Sequence, residues 1–282
     1  MMLHRHFEEN EQPRPPKPKI PEVVPIKARK TGRKKKQIKA AVYCGTQKLY
    51  ADMVTAAKSL LCNSDVDKIY FLIETDRFPY ELHKDIECIN VGGQTIFDWD
   101  GPNTKTLWTY MILMRVAFTK LFPDLDKIVS LDVDTVVVDD VSGLWDVDMD
   151  GCVLAMANES YGNYRPYGQQ YFNCGVTVYD LAALRETGLD DEMIHAIQTT
   201  RFTYPEQDAM NLICSGKIKE LDSRYNDNHI CGKTMNPAIV HYIAKTDWAT
   251  DPAMDRREYL LEYRGKSLED VSAIRLERYG KK

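Results

Sequence analysis

The sequence predicts an α/β fold with a mainly parallel sheet flanked by helices. Short apolar runs alternate with stretches of helical apolar spacing, and that β-α-β alternation is the pattern of a parallel sheet whose faces are covered. One of those runs, Val129-Ser130-Leu131-Asp132-Val133-Asp134-Thr135-Val136-Val137-Val138, carries two carboxylates one residue apart. A buried carboxylate is costly without a partner, so an apolar strand seldom holds two of them unless something binds there.

The elements follow in order. Ile38 to Gly45 is a short apolar run ending in glycine, suited to a buried first strand. Tyr50 to Leu61 reads as a helix, with Met53, Val54, Ala57, Leu60 and Leu61 on one face. Lys68 to Ile73 is a second strand and Cys88 to Val91 a third. Thr106 to Leu121 shows helical spacing of Leu107, Tyr110, Met111, Met114, Phe118 and Leu121, and Pro123 ends it. The acidic strand follows. Cys152 to Ala157 and Gly175 to Tyr179 are strand-like, and Leu181 to Thr187 and Asp190 to Thr199 are helical. Pro205 opens a helix with acids in its first turn, Glu206-Gln207-Asp208, a placement the helix dipole favours. Ile239 to Tyr242 is the last strand, and the charged stretch after Asp251 reads as a peripheral helical tail.

Composition sets the class. Of 282 residues 44% are hydrophobic and 28% charged, an ordinary globular balance with enough length for one large core. No apolar stretch approaches the ~20 residues of a membrane span, and the N-terminus carries no apolar signal core. Seven cysteines are scattered with no Cys-x-x-Cys pair, which favours reduced thiols and a cytoplasmic setting. The net charge of −5 conceals an asymmetry. Residues 1–39 hold 12 Lys/Arg against 4 Glu, and residues 40–282 hold 25 Lys/Arg against 38 Asp/Glu. Residues 1–38, rich in proline and ending in Lys30-Thr31-Gly32-Arg33-Lys34-Lys35-Lys36, read as an extended or disordered arm. A solvated leader accounts for it. So does attachment to an anionic membrane surface, which would make the protein peripheral to the membrane. No aromatic residue interleaves the basic run after Phe7, so no nucleic-acid partner is expected.

In an extended chain residues i and i+2 point to one side, so Asp132 and Asp134 converge. Oxygen ligands of that kind suit Mn²⁺ or Mg²⁺, and such an ion is a natural clamp for a diphosphate. A surface turn with two solvated aspartates is the simpler alternative. In parallel sheets ligands gather beyond the C-terminal strand ends, and Gly45-Thr46 falls on the same edge as the acidic pair.

Four segments in order give the site its context: the acidic strand with Arg115 upstream, Tyr171-Phe172-Asn173-Cys174-Gly175-Val176, Pro205-Glu206-Gln207-Asp208-Ala209-Met210-Asn211, and His241-Tyr242-Ile243-Ala244-Lys245-Thr246-Asp247-Trp248. Together they resemble glycosyltransferase family 8, whose members include glycogenin and bacterial lipopolysaccharide galactosyl- and glucosyltransferases. The resemblance spans roughly residues 39–250 and leaves 251–282 as a tail. It implies a single GT-A-type domain with a Rossmann-like sheet, a UDP-sugar donor, a divalent ion, and transfer of glucose or galactose to a hydroxyl acceptor with retention. The acceptor class stays open between a glycan, a lipid-linked saccharide and a protein.

By the same resemblance Asp132, Asp134 and His241 are the metal ligands. Cys44, Gly45, Thr46, Tyr50, Arg115, Val133, Asn173, Gly175 and Lys245 bind the donor. Gln207, with Glu206 and Asp208 beside it, faces the anomeric carbon. Tyr50 corresponds to an aromatic residue that stacks on uracil, and Cys174-Gly175 to the small residues where sugar approaches backbone. Two positions depart from the family pattern: Glu206 replaces an aspartate, and Asp247 stands where the family has its diphosphate lysine, leaving Lys245 two residues earlier. These departures are the main support for the alternative of a catalytically weak sugar-nucleotide-binding or scaffold protein. A nucleotidyltransferase fits less well, because Gly45-Thr46-Gln47-Lys48 is too short to grip a triphosphate. Tyr161, Tyr164 and Tyr167, on a Gly/Tyr-rich loop, are candidates for stacking on acceptor sugars.

Overall fold

A computed structural model describes residues 20–25, 38–106, 109–159, 170–243 and 254–281. The Tyr161–Tyr167 loop, Lys245, Asp247 and most of the basic arm lie outside these residues.

The core is an eight-stranded sheet. Its parallel half consists of β1 (Val23–Pro25), β4 (Ile86–Asn90), β3 (Lys68–Ile73), β2 (Ala40–Cys44) and β5 (Lys127–Leu131), in that spatial order. Next come β8 (Phe172–Asp180), antiparallel to both neighbours, then β7 (Leu154–Asn158) and, parallel to it, β9 (Ile218–Leu221). All five residues of β2 are buried, as a central strand covered on both faces requires. β1 belongs to the segment read as an arm. Its three residues pair with Cys88–Asn90, and Pro25 is tolerated there because the strand is at the sheet edge.

One departure concerns residues 106–121. The expected α-helix is a 3₁₀ segment over Tyr110–Ala117, and among the described residues of this stretch only α2 (Phe118–Leu121) is α-helical. Met111, Met114 and Ala117 recur at three-residue spacing and are fully buried, which suits a helix whose side chains eclipse at i and i+3. The segment is wedged between β2 on one side and helices α4 (Leu189–Thr199) and α5 (Pro205–Ile213) on the other. Helix α3 (Leu181–Thr187) connects β8 to α4 through the left-handed Gly188.

The tail is not peripheral. Helices α6 (Arg257–Gly265) and α7 (Leu268–Tyr279) pack on α1 (Tyr50–Cys62), and Leu260, Tyr263 and Val271 join its core cluster. Arg275, fully buried, donates to the Val66 carbonyl at 2.8 Å and pairs with Asp85 at 3.1 Å. Its charge had marked the stretch as surface in the sequence. The long apolar stem of an arginine lets it bury where its head meets a carboxylate and a carbonyl.

Candidate active site

The expected metal ligands and Gln207 gather at one edge of the sheet. β5 ends at Leu131, and Asp132 and Asp134 lie in the turn that leads to β6 (Thr135–Val137), not on an extended strand. Their convergence therefore does not come from strand alternation. It comes from the turn, which closes where Thr135 donates to the Asp132 carbonyl through its backbone (3.2 Å) and its hydroxyl (2.7 Å). β10 (Ile239–His241) pairs antiparallel with β6, placing His241 opposite Thr135. The His241 Nε2 is 3.4 Å from Asp132 and 3.3 Å from Asp134. Ligand atoms of the three residues lie within 4.8 Å of one another, spacing that one ion can span. Carboxylates plus one imidazole are a donor set that fits Mn²⁺, and the residues present fit the expected metal.

β8 runs opposite to β5, so its first residues meet the same edge, and Asp132 donates its N–H to the Gly175 carbonyl at 2.8 Å. The start of α5 is pinned there. Asn211 forms two bonds with the Phe172 backbone, at 2.8 and 2.9 Å, in the manner of a neighbouring strand. This brings Gln207 to β8, where its Oε1 accepts from Cys174 N at 3.0 Å and its Nε2 donates to Glu159 at 3.1 Å. Glu159 also accepts from Asn173 Nδ2 at 3.0 Å. It is buried at the end of β7, and burial pushes its carboxyl above the ordinary value. Sequence reading missed Glu159; an acid two residues after the apolar Leu154–Ala157 run was the available signal.

Several expected contacts take a different form. Arg115 is buried and its guanidinium is engaged inside the protein: it pairs with Asp132, lies 3.8 Å from Glu206, and donates to the Cys174 carbonyl at 3.3 Å. It is a strut between the acidic turn and α5 rather than an open donor contact. Burial raises the Glu206 carboxyl, with Arg115 opposing the rise. Tyr50 is 0% exposed, its ring packed 4.7 Å from that of Phe78, so it presents no open face to a nucleobase. Gly45 donates its N–H to Leu72, while Thr46 and Val133 are half-buried beside it and at the acidic turn. Cys44 is a buried thiol, pushed up to about 12 by desolvation.

The side-chain direction at Gly175 points at His241. A Cβ there would lie 2.2 Å from His241 Cε1, so the vacant side is filled by the imidazole and not by a sugar. Asp208 is corrected as a catalytic candidate. It is fully buried and accepts from the Tyr171 hydroxyl (2.5 Å), Thr203 N (3.1 Å) and Tyr204 N (2.9 Å). It is therefore a cap that fixes the start of α5 on β8. Asp208→Ala should lower stability by about 3 kcal/mol through loss of charge-assisted bonds, while the folded fraction keeps its kcat. Thermal melts beside active-site-normalised rates check this; an unchanged Tm with a collapsed kcat would return Asp208 to the catalytic group.

A mixed sheet of this order, with an acidic turn and a histidine at its C-terminal edge, defines a GT-A fold. The chain belongs to glycosyl transferase family 8, whose model matches residues 40–248. It is 25% identical over 256 residues to the glycosyltransferase GlyA of Streptococcus pneumoniae, covering 83% of this chain and 36% of that protein. It is 25% identical over 190 residues to the lipopolysaccharide 1,2-glucosyltransferase of Escherichia coli, 55% of each chain. A putative glycosyltransferase of Haemophilus influenzae is 26% identical over 136 residues, 44% of this chain and 41% of that one. The chain thus spans about half or less of these relatives. Among solved structures, GlyE of Streptococcus pneumoniae superposes with a TM-score of 0.63 at 19% identity, over 87% of this chain and 64% of that one. The galactosyltransferase LgtC, solved with donor and acceptor sugar analogues, superposes at 0.57 and 18% identity, over 80% and 95%.

Proposed function

We propose that the protein is a metal-dependent retaining hexosyltransferase that moves glucose or galactose from a UDP-sugar to a hydroxyl acceptor. The observation that carries this reading is the convergence of Asp132, Asp134 and His241 on one point, with Gln207 held across the same strand edge. Asp132, Asp134 and His241 would hold Mn²⁺ or Mg²⁺, which supplies charge neutralisation on the departing nucleoside diphosphate. Arg115 keeps Asp132 in place for that task. Thr46 and Val133 line the edge where the nucleoside would lie, and Asn173 keeps one amide proton for the sugar beside its bond to Glu159.

Gln207 is oriented at both ends of its amide, by Cys174 N and by Glu159. An amide is a weak nucleophile, so it supports retention through attack by the acceptor hydroxyl on the face the diphosphate leaves. Lys245 is the cation nearest in sequence to His241 and is the proposed diphosphate partner. The acceptor is a glycan, a lipid-linked saccharide or a protein hydroxyl; the Escherichia coli relative, by its name, glucosylates a lipopolysaccharide. The basic arm is read as a solvated leader or as an attachment to an anionic membrane surface from the cytoplasmic side. Among the described residues, no helix is long and apolar enough to cross a membrane.

With UDP-glucose, UDP-galactose and Mn²⁺, slow release of UDP by hydrolysis is expected, and chelation should abolish it. If no uridine nucleotide binds with metal present, the transferase reading is lost and a scaffold role takes its place.

A further inference from the structure

Outside the residues assigned to chemistry, a fully buried amide meets the ring of His241 directly. Asn226 Oδ1 lies 2.7 Å from His241 Nδ1. Two sets of backbone donors fix which end of its amide is which. Gly175 N donates to Asn173 Oδ1 at 2.9 Å, so that atom is an acceptor and the Asn226 atom 2.9 Å from it is the NH₂. On the other side, Ile230 N and Cys231 N donate to Asn228 Oδ1 at 2.8 and 2.7 Å, so the NH₂ of Asn228 is what reaches Asn226 Oδ1 at 3.0 Å. A flipped Asn226 would set acceptor against acceptor at Asn173 and donor against donor at Asn228.

The atom facing His241 is therefore an oxygen, and the Nδ1 that meets it carries the proton. With the proton on Nδ1, Nε2 is the ring atom left to ligate at the point it shares with Asp132 and Asp134. The opposite tautomer would aim an N–H there and leave no ligand atom. We infer that Asn226 is the positioning residue of the metal centre: it selects the His241 tautomer and ring angle that make Nε2 a ligand. The inference rests on the metal reading above. It also ties the centre to the anomeric face, because Asn173, which Asn226 bonds, holds Glu159, and Glu159 holds Gln207.

The test uses the full chain. Long-range ¹H–¹⁵N spectra of the neutral imidazoles, with His241 assigned by subtraction of a His241→Gln sample, should show Nδ1–H in the wild type without metal. N226L, similar in size but without an acceptor, should move the ring toward Nε2–H. It should also weaken Mn²⁺ binding, read by electron paramagnetic resonance of the free ion, by about 10- to 100-fold. N226D keeps an oxygen toward the ring and should recover most of both; N226S, too short to reach it, replaces N226L if that variant does not fold. A wild-type Nε2–H ring, or N226L with wild-type Mn²⁺ affinity, overturns the inference alone. A wild-type Nδ1–H ring that takes up neither Mn²⁺ nor Mg²⁺ overturns the metal reading on which it rests.

Discussion

Replacing Asp134 with asparagine is expected to lower metal-dependent turnover by roughly 1,000-fold while leaving the fold intact. Lewis-acid stabilisation of a leaving group is worth several kcal/mol, and each ~1.4 kcal/mol is tenfold in rate. The turn survives the change, because it is closed by Thr135 on the Asp132 carbonyl and by Tyr242 N on the Asp134 carbonyl at 3.0 Å, all backbone acceptors. Without metal the variant should melt at or above the wild-type temperature, since one of two converging carboxylates is neutralised and the Arg115–Asp132 pair remains. With metal the difference reverses. A ligand at 100 times its Kd stabilises the wild type by about 2.7 kcal/mol, and the variant should lose that increment. Melts with and without Mn²⁺, beside initial rates, check both signs; undiminished turnover would place the metal elsewhere.

The parts of the fold legible in the sequence were those set by local periodicity. β3 and α3 fall where the apolar pattern puts them, and α1, α4, α5 and β10 differ by a residue or so at their ends. The acidic pair was readable because carboxylates beside an apolar strand contradict burial unless something binds them. What was not readable depends on contacts between distant segments. Asp208 and Gln207 are adjacent, yet one turns to Tyr171 and the other to Cys174, and no sequence pattern distinguishes them. Tyr50 starts its helix as expected, but only the position of Phe78 shows that its ring is enclosed. The α6–α7 pair looked peripheral because its composition is charged, and charge alone does not reveal a buried Arg275 met by Asp85. Likewise, the i,i+2 argument reached the right residues by the wrong geometry, since a turn and not a strand brings the carboxylates together.

Gly175→Ala separates the two readings of that glycine and is the second large effect. If the glycine exists to admit a sugar, alanine should weaken donor binding and leave metal binding alone. The structure leads to the opposite expectation. The added Cβ would lie 2.2 Å from His241 Cε1, 2.4 Å from its Nδ1 and 2.9 Å from Asn173 Oδ1, all well inside contact distance. The ring is held at Nδ1 by Asn226 and carried by a strand paired to β6, and both contacts oppose its displacement. Overpacking of this kind costs about 1–3 kcal/mol, and here the atom displaced is a ligand. Metal affinity should therefore fall along with turnover, and the Mn²⁺-induced rise in Tm should disappear as it does for Asp134→Asn. Gly45→Ala is the control on the same edge. Its Cβ would meet Met53 Sδ at 2.6 Å, but a methionine thioether is a flexible neighbour that can swing aside, so metal binding should persist. Retained Mn²⁺ affinity in Gly175→Ala, with only the KM for donor raised, would restore the sugar reading and remove His241 from the centre.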